Sequence, residues 1–158
     1  MLDFVLGAIL GASRIIVLTE EIMTGNNIYW VSTGLLTLLY LASAVLYVAK
    51  SESVRKTIID FGYPGYLLQI LVGVKLLFIL VVLTRFNVAL SDLAYAGALF
   101  HLLLSAAAHI GIRKPIAAIP AFVGLVLLVV SFITQNTART PPSPYALEPM
   151  ASSVPSLT

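Results

Sequence analysis

The chain reads as an all-α protein, a transmembrane four-helix bundle with room for an extra N-terminal helix. Three observations lead there. First, 59% of its 158 residues are hydrophobic and only 10% are charged, against about 25% charged in soluble domains. Second, the apolar residues gather into four runs, each close to the roughly 20 residues of helix that cross a bilayer. Third, the connections between the last three runs are so short that consecutive helices must be antiparallel neighbours. The mean hydropathy of +1.02 agrees. Length leaves no room for a second soluble domain.

Residues 1–27 form a leader whose state the residues leave open. Phe4 to Thr19 is mostly apolar, but Arg14 interrupts it and Asp3 is the only earlier charge. A secretory signal would start with basic residues, and a crossing would carry Arg14 near its middle at a cost of a few kcal/mol. An interfacial helix fits better, and a start of translation at Met23 is an alternative. The core of the chain, residues 28–133, begins with a helix from about Ile28 to Ala49. Tyr29 and Trp30 open it, and Tyr47 and Lys50 close it, as interface anchors do.

Between residues 51 and 66, Val54, Ile58 and Phe61 share one helical face while Arg55, Lys56 and Asp60 lie elsewhere. This pattern predicts a short helix on the membrane surface. Gly62 suits its end and Pro64 the first turn of the next helix. The second crossing covers about Tyr66 to Thr84, the third Ser91 to Ile110, and the fourth Ile116 to Ile133, with Pro120 tolerated in its first turns. Residues 134–158 are Pro- and Ser-rich and are expected to form a disordered tail. Lys50, Arg55, Lys56, Arg113 and Lys114 gather on one side, and Arg85 and Arg139 on the other. The first side is therefore inward, with both ends of the bundle's chain facing out.

Several local stretches resemble the DoxX-like family of small four-helix membrane proteins. They are IYWVSTGLL at residues 28–36, FGYPGYLLQILVGVKLL at residues 61–77, SDLAYAGALF at residues 91–100, and His109 at the end of the third crossing. The chain departs from the family pattern at Leu93, where a tryptophan is common, at Ser105, where a glycine is common, and at His101. The resemblance implies a protein of the bacterial inner membrane. It also suggests an accessory or assembly subunit tied to quinone-related redox chemistry, since the family is named after such a subunit. A fold likeness alone does not carry chemistry with it.

The residues point to one place where chemistry could occur. Counting outward from the turn at Phe86–Asn87, with both helices rising about 1.5 Å per residue, Lys75 is level with His101. Tyr40 falls near the same depth. On the third crossing Ala94, Ala98, His101, Ser105 and Ala108 recur at helical spacing, a small and polar stripe that lets neighbours approach. Tyr40, Lys75, His101 and Ser105 thus form a hypothetical intramembrane binding site for a quinone headgroup or a proton relay. The competing reading, that Lys75 only fixes helix packing, is preferred, because interhelical polar contacts are often structural. A Lys75→Met variant that works normally but is less stable would support it.

His109 lies nearer the basic face, about 12 Å along the axis from His101, so the two cannot clamp one metal. It reads as an interfacial hydrogen-bonding residue. Asp92 and Arg85 flank the outward turn, where they could pair or snorkel; the preferred reading is solvated anchors, with Asp92 suited to the positive end of a helix dipole.

There are no cysteines, which excludes disulfides, thiolate metal sites and redox dithiols. No Gly-rich phosphate loop, paired-carboxylate site or supported Ser/His/Asp arrangement is present, so independent catalysis is not expected. No metal and no resident cofactor are expected, with a quinone as the exception that the family resemblance allows. Nucleic acid is excluded as a partner, because no basic stretch with interleaved aromatics could track a phosphate backbone. The partners left are the lipid bilayer, a membrane redox protein, and a second copy of the chain. A small-solute carrier or channel using the same polar level is the alternative function.

Overall fold

The apolar runs become long helices because, in lipid, every backbone N–H and C=O must be bonded within its own segment. In the computed structural model, which describes the backbone of residues 2–147 and the side chains of residues 14–147, the helices are α1 (Leu2–Ala49), α2 (Ser51–Asp60), α3 (Leu67–Thr84), α4 (Val88–Gly111) and α5 (Ile119–Ala138). A 3₁₀ turn, Pro115–Ala118, leads into α5. Among the described residues, four helices are long and apolar enough to cross a membrane: α1 from Arg14, α3, α4, and α5 with its 3₁₀ lead-in. The protein is therefore an all-α integral membrane protein whose outer faces meet lipid. Large side chains such as Leu38, Leu77, Phe100 and Val126 are exposed around the bundle.

Two boundaries differ from the sequence expectation. The first helix does not start near Ile28: α1 is continuous from Leu2, passing through Met23 and the Thr-Gly-Asn-Asn stretch. Gly25 is not a breaker here. A Cβ at this position would lie 2.9 Å from the Thr137 side chain, so the glycine permits α1 and α5 to approach. At about 1.5 Å per residue the 48-residue helix is much longer than a bilayer's hydrocarbon is thick. Beyond Gly25, α5 has ended, and Ile15, Ile16, Val17 and Met23 are exposed.

The second correction concerns the tail. Thr134–Ala138 continue α5, and the chain then folds back so that Ser143 is 0% exposed. Asn136 holds this return: its Nδ2 donates to the Ser143 carbonyl (2.9 Å), and its Oδ1 accepts from the Ser143 N–H (2.7 Å). The expected disorder thus does not describe residues 134–147, and residues 148–158 lie outside the described part.

Other elements follow local rules. Asn87 caps α4, its Oδ1 accepting from Leu90 N–H at 3.0 Å. Gly62, at φ +84°, stops the α2 segment in a left-handed turn. Ile58 is the buried residue of α2, which seats this short helix against the Lys- and Arg-rich end of the bundle, the end expected from its charge to face inward. The apolar core between the two ends contains Leu36, Phe78, Val82, Ala98, Leu102 and Leu128.

Candidate functional site

Helical spacing on α1 sets the first wall of the site. Tyr40, Ser43 and Tyr47 follow at intervals of three and four, so they share one face. Across from them, Lys75 of α3 is 3% exposed. Its Nζ donates to Ser43 Oγ at 2.9 Å and lies 3.4 Å from the centre of the Tyr47 ring. A buried ammonium is costly, and a hydroxyl together with an aromatic face offsets part of that cost.

These groups open onto a cavity of about 320 Å³. Tyr40, Lys75, His101, Ser105 and His109 all line it, together with Ser43. The structure thus gathers the four residues of the expected site and adds His109. The His101 ring lies 5.9 Å from that of Tyr40, and Tyr40 in turn packs on Phe78 at 4.5 Å. The Tyr40 hydroxyl donates a long 3.5 Å bond to the Ala98 carbonyl.

His109 sits edge-on to Phe61 at 5.3 Å, and its Nδ1 is buried without a hydrogen-bond partner among the described residues. The other wall at this level is α2, which contributes Val54, Thr57, Ile58 and Phe61. The apolar face of the surface helix therefore covers the inward side of the cavity. Ser43 and Thr57 were not singled out from the sequence, and Tyr47 and Phe61 were read there only as an interface anchor and as part of an apolar helix face. The spacing of Tyr40, Ser43 and Tyr47 on one face was the available signal.

Asp92 belongs to a different place. It is 9% exposed, which corrects its reading as a solvated anchor, and it lies one turn beyond the Asn87 cap. Ser143 Oγ donates to its Oδ2 at 2.8 Å and Gln135 Nε2 to its Oδ1 at 3.4 Å. Deeper in the same half, Ser131 Oγ shares hydrogen bonds with Thr33 (2.6 Å) and Tyr95 (2.7 Å). These bonds tie α1, α4 and α5 together. Arg85 is not a free anchor either: its guanidinium nitrogens are buried. Among the described residues no group of three His, Asp or Glu side chains could hold a metal.

The family comparison bears on this arrangement. The sequence pattern of the DoxX-like family matches residues 31–131. The chain belongs to the DoxX-like family. No curated protein and no solved structure matches it. The match covers Tyr40, Lys75, Asp92, His101, Ser105 and His109, and ends before the returning segment that buries Ser143. In this DoxX-like protein, then, the cavity lies wholly within the family region, and the outward closure is partly made by residues beyond it.

Proposed function

We propose that the cavity holds the headgroup of a quinone, and that the protein is an accessory or assembly subunit of quinone-linked redox chemistry in the bacterial inner membrane. The observation that carries this reading is the convergence of Lys75 and His101 on one sheltered cavity of about 320 Å³. That volume lies at the small end of ligand pockets, about 300–1,000 Å³. It suits a single substituted ring rather than a whole lipid.

The chemistry of the lining matches such a ring. Lys75 has three N–H donors, of which one is directed to Ser43. Another can reach a ligand carbonyl oxygen, and His101 and Ser105 offer further polar contacts on the same wall. Tyr40, Tyr47 and Phe61 supply aromatic surface for the ring. A quinone, when bound, would bring the electron-carrying group. The protein's own residues would orient the carbonyl oxygens, exclude water, and hold a proton at Lys Nζ or an imidazole nitrogen.

Packing also favours this reading over a carrier. Leu36, Phe78 and Leu128 of the apolar core lie, by helix position, between the cavity and the Thr33–Ser131–Tyr95 bonds, so an apolar layer separates the polar groups of the two halves. The test is calorimetric titration of a short-chain benzoquinone into the protein held in lipid nanodiscs. One saturable site is expected, weakened about tenfold or more by Lys75→Met, the size of one lost charge-assisted hydrogen bond. Absence of binding, or equal binding by Lys75→Met, would refute the reading. Uptake of a polar solute by liposomes carrying the protein, without quinone binding, would favour the carrier.

A further inference from the structure

At the opposite end of the bundle, we infer a second site, for a phosphate-class anion, formed by Arg85 and Arg139 where α3 and α5 end at the outward membrane surface. It is independent of the inward cavity. Arg85 follows Thr84 in a left-handed conformation, φ 44°, that turns the chain at the end of α3. All three of its guanidinium nitrogens are buried, and none has a hydrogen-bond partner among the described residues. Burial lowers its pKa, and the neighbouring Tyr29, Arg139, Asp92 and Tyr95 modulate it.

Arg139 is placed to share the same ligand. One of its terminal nitrogens donates to the Val82 and Leu83 carbonyls, both at 2.8 Å. These bonds hold the guanidinium beside the last turn of α3, immediately before Arg85. Its Nε is buried and has no partner among the described residues. Among the described residues the carboxylate that acts on Arg85 is Asp92, and its two oxygens accept bonds from Ser143 and Gln135.

The donors left over are therefore those of two arginines. Buried polar groups are nearly always satisfied, and a planar guanidinium fork fits an oxyanion bidentately. Part of the positive charge answers the negative ends of α3 and α5. The helix dipoles, however, do not supply acceptors to the Arg85 nitrogens. Trp30 marks the level of the site. It is half-exposed, as interface tryptophans are, and the Arg139 guanidinium carbon lies 5.0 Å from its ring centre. At that level the shared chemistry is a phosphate group, belonging either to a phospholipid headgroup or to free phosphate.

The chain contains one tryptophan, so its fluorescence reports on this site alone. The experiment uses the full chain in maltoside micelles, which contain no phosphate, and titrates inorganic phosphate in one arm and phosphatidylglycerol in the other. Sodium chloride at matched ionic strength is the control. A saturable change with phosphatidylglycerol only assigns a lipid headgroup, and a saturable change with inorganic phosphate assigns the free ion. No saturable change in either arm, or an equal change with chloride, overturns the proposal. Arg85→Gln is expected to raise the half-saturation concentration about tenfold or more with unchanged helical circular dichroism. A folded Arg85→Gln protein that responds like wild type would also overturn it. The wild-type titrations decide even if that variant does not fold.

Discussion

At the outward end of the bundle, Asp92 has both carboxylate oxygens bonded, to Ser143 and Gln135, and the returning chain segment is locked to Asn136. At the inward end, Lys75 is buried as deeply, yet its one side-chain hydrogen-bond partner is Ser43 and it faces a cavity. Each carboxylate oxygen of Asp92 accepts one bond, from Gln135 on α5 or from Ser143 in the segment after it. Lys75 and His101 border space instead. The difference teaches that burial of a polar group does not by itself distinguish structure from function. What distinguishes them is whether the chain supplies the partners. Outward, it supplies them to Asp92, while Arg85 and Arg139 keep buried nitrogens without partners among the described residues.

This contrast is open to attack from both ends, starting with the largest expected effect. Gly25→Pro should cost about 3 kcal/mol or more, because it interrupts a continuous helix and pushes into Thr137. Thermal unfolding in detergent checks this, and no change would mean that the helix begins after residue 25. Asp92→Ala leaves the Ser143 hydroxyl and the Gln135 amide without their acceptor. A loss of about 2–3 kcal/mol is expected by the same measurement, as for hydrogen bonds to a charged group. Quinone binding at the inward cavity should survive in whatever fraction remains folded.

Ser143→Ala removes one of those bonds and should cost about 1–2 kcal/mol. It should also make the chain after Ala138 more sensitive to limited proteolysis, with no effect on the cavity. Lys75→Met should change stability least, by about 1 kcal/mol in either direction, because an apolar side chain in place of a buried charge is often neutral or stabilising. Its effect should fall on ligand binding. If Lys75→Met instead destabilises as strongly as Asp92→Ala and leaves binding intact, the two ends do not differ as described, and Lys75 is packing glue.

Much of the fold was readable from the residues, and the failures have identifiable causes. Crossings α3, α4 and α5 follow from apolar length, and Gly62, Pro64 and Pro120 mark their turns and starts. The start of α1 was misplaced because Gly25-Asn26-Asn27 has the composition of a turn. Its glycine instead meets a contact with Thr137, more than a hundred residues away. Residues 134–147 were misread for a related reason. A Pro- and Ser-rich segment has little apolar surface, and its order comes from specific bonds to Asn136 and Asp92 that composition does not show.

The site was more legible than the closure. Helix rise alone put Tyr40, Lys75 and His101 at one depth, and the structure lines one cavity with all three. His109 was set apart by its axial distance from His101, which the length of the cavity spans. The roles of Asp92 and Arg85 were missed, because solvated anchors and buried network residues look identical at the end of an apolar run.

The most direct measurement is native mass spectrometry of the protein gently extracted from its own membrane, comparing wild type with Lys75→Met. The account predicts that wild type carries an added mass equal to a membrane quinone and that Lys75→Met, with the same oligomeric state, lacks it. A bare chain in both, or the same quinone mass retained by both, would contradict the claim that the inward cavity is a quinone headgroup site.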